Sequence, residues 1–135
     1  MVVLGLVVAE YNRPVTENME SAARDAAADA DVAVEIRETR YVPGAYDTPL
    51  AADELARRED IDAVAVLGTI ITGDTDHDQV IANACAQGLT QVSLDRDTPV
   101  AFGVTGPGMT PQEARDRVDK GGETVESAVR MAEER

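Results

Sequence analysis

A single cysteine, Cys85, in 135 residues excludes an internal disulfide and any zinc site built on paired cysteines. Lying in an apolar stretch, it reads as a small core residue. No run of about 18 apolar residues occurs, so a membrane-spanning helix is not expected. The opening MVVLGLVVAEYN lacks the basic start and small-residue cleavage site of a secretory signal, which makes a soluble, cytoplasmic protein the expectation. Positive charge is scarce. Twelve Lys and Arg face 26 Asp and Glu for a net charge of -14, and Lys120 is the only lysine. Such a chain repels nucleic-acid phosphates and anionic membranes, which argues against both as partners. Its self-repulsion opposes compaction unless salt screens it, and at molar salt the Debye length is about 3 Å. The composition therefore suits a halophile. Histidine is equally scarce: His77 is alone.

What is present is an alternation of apolar runs and helical stripes, short enough for one domain over residues 1–135. VVLGLVVA at 2–9 and IDAVAVLG at 61–68 read as strands buried on both faces, VAVEIRE at 32–38 as a strand nearer the edge, and PVAFGVTG at 99–106 as the last strand. Pro14 suits the first turn of the helix after strand one. A second helix is expected to end near Arg58. A third would begin around His77, with Val80, Ile81, Ala84, Cys85, Leu89 and Val92 as its apolar stripe. Thr110 and Glu113 form a capping-box pattern for a last helical segment, which Gly121 and Gly122 are expected to break in two. The order βαβαβαβα implies an α/β, three-layer αβα sandwich with a parallel sheet, whose functional loops gather at the carboxyl ends of the strands.

The unusual stretches all fall at those ends. Tyr11 can stack on a planar ring and Asn12 can hydrogen-bond it, although a loop tyrosine gives the same pattern. In VPGAYDTP, Pro43 and Gly44 set a turn baring peptide groups just before Asp47, which suits a polyhydroxylated ligand; a turn followed by a helix-start carboxylate reads the same way. In TGDTDHDQV, the amides around Asp74 and Thr75 open a helix and could receive an oxyanion, with His77 one turn on as proton exchanger. A capped helix with a solvated histidine is the alternative. Arg115, Arg117 and Lys120 bring positive charge near the last helix, and Arg117 could bind a phosphate bidentately or simply pair with its helix neighbours. No GxGxxG, P-loop, HExxH or GxSxG motif occurs, so dinucleotide, nucleotide-hydrolysing and serine-nucleophile chemistry lose support.

Taken in order, EYN, VPGAYDTPLA, LGTIITGDTDHDQV, FGVTGPGMT and RVDKG resemble the segments of the lumazine synthase (6,7-dimethyl-8-ribityllumazine synthase) family, archaeal type, over nearly the whole chain. The resemblance implies a flavodoxin-like fold with a four-stranded parallel sheet. It implies a cofactor-free, metal-free transferase that condenses 5-amino-6-(D-ribitylamino)uracil with 3,4-dihydroxy-2-butanone 4-phosphate to dimethylribityllumazine, phosphate and water, the penultimate step of riboflavin biosynthesis. It also implies homopentamers, in some members closed into 60-subunit shells, with active sites between subunits. By resemblance Tyr11 stacks on the pyrimidine, with Asn12 beside it. Ala45, Tyr46 and Asp47 bind the aminouracil and its ribityl chain, and Thr69, Ile70 and Ile71 line the heterocycle through their backbone. Phe102 reaches into the neighbouring subunit's site, Asp74, Thr75 and Arg117 hold the phosphate, and His77 is catalytic.

Three positions depart from the family's common pattern: Asp47 replaces Glu, Thr72 replaces an Arg frequent in bacterial members, and Asp78 replaces an aromatic residue. Two other functions compete with the synthase. One is an archaeal riboflavin synthase, a relative of the same fold without the GDTDH arrangement. The other is a non-catalytic flavodoxin-like binding or shell protein.

Overall fold

The computed structural model describes residues 1–73 and 77–135. Four strands, β1 (Val2–Ala9), β2 (Val34–Val42), β3 (Ala63–Ile71) and β4 (Val100–Met109), pair in parallel in the order β2-β1-β3-β4. Helices α1 (Arg13–Asp29), α2 (Thr48–Ala56), α3 (His77–Arg96), α4 (Pro111–Asp116) and α5 (Lys120–Glu133) cover both faces, giving the expected flavodoxin-like sandwich. No helix among the described residues is long and apolar enough to cross a membrane.

Strand alternation divides the interior. Leu4, Leu6 and Val8 of β1 join Ala65 and Leu67 of β3 beneath α1 and α5, while Val3 and Val7 join Val64 and Val66 beneath α2 and α3. Because both faces are covered, β1 and β3 read as unbroken apolar runs rather than alternating ones. Edge strand β2 instead carries charge: Glu38 is ion-paired with both Arg40 and Arg58, and Arg37 with Glu35 and Asp60. Such a row discourages another strand from adding to the open edge.

The boundaries differ from the sequence expectation in a way that matters for function. β3 continues to Ile71 and β4 to Met109, because Thr69 pairs with Thr105 and Ile71 with Met109 beyond the apolar runs. In α3 the buried stripe is Asp78, Ala82, Cys85, Leu89 and Val92, whereas Val80 and Ala84 are exposed. Cys85, Leu89 and Val92 are buried as expected and Ile81 packs against the same core, so the helix is rotated only slightly from the expected stripe. Thr110 caps α4 as expected: its hydroxyl accepts from Glu113 N–H at 3.1 Å, and its own N–H donates to Glu113 Oε1 at 3.0 Å. The helical break, however, falls at 117–119, and Gly121 and Gly122 lie within α5.

Candidate active site

Strand order β2-β1-β3-β4 sends the connection after β1 to one face of the sheet and the connection after β3 to the other, opening a crevice where they part. A cleft of about 170 Å³ occupies this point. Tyr11 and Asn12 enter it from the end of β1, Gly44 to Asp47 from the β2 loop, Thr69 to Ile71 from β3 and Ile81 from α3.

Backbone geometry explains the first wall. Asn12 adopts a left-handed conformation (φ 64°, ψ 44°), which asparagine tolerates better than most residues, and so turns the chain from β1 into α1. Tyr11 N–H donates to Pro43 O at 2.8 Å, fixing the two loops side by side. Its ring lies directly on Gly44, where an added Cβ would stand 2.6 Å from Tyr11 Cδ2. Glycine therefore serves here as the platform for an aromatic ring that is 67% exposed, an arrangement open to stacking by a planar ligand.

The β2 loop is closed by Asp47. Its Oδ2 accepts from Gly44 N–H at 3.0 Å, so the carboxylate closes the turn rather than capping α2. Below it, Thr48 donates its hydroxyl to Ala45 O at 2.8 Å and lies 3.3 Å from Cys85 Sγ. Cys85 is buried, as its surroundings in the sequence suggested, and burial pushes its thiol above the ordinary value against a smaller opposing effect of the Thr48 hydrogen bond.

The β3 wall is mostly main chain. β1 pairs with β3 only as far as Val8 and Leu67, so the strand from Gly68 to Ile71 presents an edge that β1 does not cover. The Thr69 hydroxyl is occupied by Thr105 at 2.9 Å. Peptide groups on that edge are what a ligand would meet, and they must find hydrogen-bond partners wherever water is excluded.

A second layer steadies the β1 turn. Arg13 stacks over the Tyr41 ring at 5.3 Å and donates to Glu20 Oε1 at 3.2 Å, while Arg24 and the Tyr41 hydroxyl donate to Glu20 Oε2 at 2.9 and 2.7 Å. Burial pushes the Glu20 carboxyl up, but hydrogen bonds from Tyr41, Arg24 and Arg13 outweigh it and hold it below the usual glutamate value. A carboxyl depressed in the folded state contributes stability above its unfolded pKa, and that contribution is lost as pH falls through the folded value. Glu20→Gln is therefore expected to cost about 2 kcal/mol at pH 7, a loss that shrinks in acid as pH falls through the lowered folded-state value. Denaturant melts of both proteins at neutral and acid pH check this.

His77 opens α3, exposed at the carboxyl end of the sheet. Ile81 lies one turn further on and lines the cleft, so the helical period puts the imidazole on the same side. Two other expected residues, Phe102 and Arg117, are not gathered here. Phe102 lines a separate groove of about 380 Å³ with Leu89, Leu94 and Val100 on the outer side of β4. Arg117 is the C-cap of α4, ion-paired with Glu113 at 3.4 Å, and is absent from the cleft wall. Asp74 and Thr75 lie outside the described residues. Gly44 and Ile81 also line the cleft: the sequence marked Gly44 only as setting the turn with Pro43, and Ile81 as part of the apolar stripe of the third helix. Among the described residues no group of three His, Cys, Asp or Glu is placed to hold a metal.

Comparison with known proteins agrees with this geometry. Residues 2–135 match the model of the family described as 6,7-dimethyl-8-ribityllumazine synthase. Proteins of that name are 70% identical in Halobacterium salinarum over 131 residues (97% of each chain) and 66% identical in Halorubrum lacusprofundi over 134 residues (99% of this chain, 98% of the relative). Another, from Methanoculleus marisnigri, is 47% identical over 130 residues, covering 96% of this chain and 95% of the relative. The first two come from halophiles, in keeping with the acid excess. With strand order, cleft position and near full-length identity in agreement, the chain belongs to the 6,7-dimethyl-8-ribityllumazine synthase family.

Proposed function

We propose that this protein is a cytoplasmic transferase that condenses 5-amino-6-(D-ribitylamino)uracil with 3,4-dihydroxy-2-butanone 4-phosphate, yielding 6,7-dimethyl-8-ribityllumazine, phosphate and water. The observation that carries this reading is the cleft where β1 and β3 part, which joins an exposed ring, a carboxylate-closed turn and an unpaired strand edge in a member of this family.

The uracil ring stacks on Tyr11, with Asn12 at its rim. Its polar edge meets the main chain of Thr69, Ile70 and Ile71, and the ribityl hydroxyls meet Ala45, Tyr46 and Asp47. In the reaction the 5-amino nitrogen attacks the ketone carbon, with loss of water, to give an imine. Phosphate then leaves as a proton is removed from the carbon skeleton, and the ribitylamino nitrogen closes the second ring with further loss of water. His77 accepts and returns protons during these steps, and holding two reactants together supplies much of the remaining acceleration. None of these steps calls for a redox cofactor. The names of the relatives favour this reaction over riboflavin synthesis or a non-catalytic role.

Phosphate recognition falls to Asp74, Thr75 and Arg117, and the site is completed across a subunit boundary. Phe102 supports that reading, since it stands 41% exposed in a groove away from its own chain's cleft, beside Leu94 at 72%. A homopentamer, alone or built into a larger shell, brings Phe102 of one subunit to the cleft of the next.

Incubating the protein in high potassium chloride with both substrates and following lumazine fluorescence tests the reaction. A protein-dependent rate above the spontaneous background supports it, and no rate from folded protein overturns it. Arg117→Ala is expected to raise KM for the ketone phosphate about tenfold, the loss of one charge-assisted contact, while KM for the uracil moves less than about twofold. Equal rises in both would make Arg117 a structural arginine.

A further inference from the structure

Residues 74–76 are flanked on both sides by bonds to the end of a single strand. Before them, Thr72 N–H donates to Met109 O at 2.8 Å. After them, Asp78 Oδ2 accepts from Gly108 N–H at 3.1 Å. Both partners belong to the last residues of β4, which press closely on β3: a Cβ on Gly106 would fall against the Ile70 carbonyl. Gly108 faces open space but holds φ at 79°, so glycine is needed there for the backbone angle that presents its N–H, not for room.

Asp78 is an unusual acid in this chain. It is only 8% exposed, although it directly follows the exposed His77. A carboxylate in the first turn of α3 is favoured by the helix dipole, which explains a charge there but not its reach across thirty positions to another loop. A buried carboxylate is tolerated when its oxygens are hydrogen-bonded, and among the described residues the Gly108 amide is the side chain's partner.

We propose that Asp78 is a positioning residue of the synthase site. Its carboxylate straps the first turn of α3 to the β4 loop and so fixes His77 relative to the β3 wall of the cleft. The proposal rests on the function given above and adds to it the residue that sets the geometry of the proton-transfer group.

Two variants test the strap. Asp78→Asn keeps an acceptor oxygen at the same reach, whereas Asp78→Ala removes it. Asp78→Ala is expected to lower kcat about tenfold, as for a lost hydrogen bond to a charged group, and Asp78→Asn to restore most of it. KM for the uracil should stay within about twofold in both, because Tyr11 and the 44–47 turn are untouched. A readout independent of turnover is hydrogen exchange over residues 103–109, expected to be slow in wild type and Asp78→Asn and faster in Asp78→Ala.

Wild-type kcat in a folded Asp78→Ala protein overturns the proposal, and so does a loss that Asp78→Asn fails to recover. If Asp78→Ala does not fold, Asp78→Asn decides alone: it must keep both slow exchange and kcat within about threefold of wild type. A wild-type protein that makes no lumazine would defeat the functional reading by itself, and the exchange pattern would still decide the strap.

Discussion

His77→Ala is expected to lower turnover by about ten- to a thousandfold, with fold and assembly intact, somewhat less than the about hundred- to ten-thousandfold a positioned general acid–base group contributes, because water can carry part of the proton traffic. The ring is exposed at the first position of α3, so its removal empties no part of either core. No second histidine exists to substitute for it. Activity remaining in the variant therefore measures what the site achieves by holding two reactants together, with water as the proton carrier. Added imidazole should restore part of the lost rate if the missing group is a proton shuttle. The measurement is kcat for lumazine formation at saturating concentrations of both substrates, with thermal melts and particle size recorded alongside. Unchanged turnover would remove the imidazole from the mechanism and shift proton transfer to water.

The cleft was legible in the sequence because its walls sit where apolar runs end and turn residues begin. Tyr11, Asn12 and Asp47 stood out at those ends, whereas Ala45, Tyr46, Thr69, Ile70 and Ile71 were implied only by the family resemblance; all eight line one cavity. Phe102 and Arg117 lie off the cleft of their own chain, a separation that spacing within one sequence does not show; only the family resemblance pointed Phe102 to a neighbouring subunit.

Asp78 was hidden for another reason. It stands among the carboxylates of TGDTDHDQV, and nothing local separates a buried acid from a solvated one. The register of α3 had the same weakness. Alanines occupy both its buried and its exposed positions, so Ala82 and Ala84 could be told apart only by what packs on them. Strand ends were placed short for a related cause: the pairing of Ile71 with Met109 depends on the path of the β4 loop, which apolar periodicity does not encode.

Gly121 and Gly122 show the same limit and yield the largest expected effect on stability. In sequence the pair reads as a helix breaker, and helix propensity alone predicts that alanine at either site would stabilise α5 by about 1 kcal/mol. The structure separates them. Gly121 is where α5 meets the backbone of α1, and a Cβ there would collide with the Met19 carbonyl oxygen and stand 2.7 Å from its carbonyl carbon. Backbone in the middle of a packed helix cannot swing aside as a side chain can, so relief requires α1 and α5 to part over the core they share with β1 and β3. Overpacking of this kind costs about 3 kcal/mol, which exceeds the propensity gain and sets the sign for Gly121→Ala. At Gly122 the nearest atoms are Ala22 O at 3.3 Å and Ala26 Cβ at 3.6 Å, close to ordinary contact. Gly122→Ala should therefore lie within about 1 kcal/mol of wild type. Denaturant midpoints in molar potassium chloride compare the two variants directly. If Gly121→Ala were as stable as Gly122→Ala, α1 and α5 could not approach as closely as described, and both glycines would be ordinary helix residues.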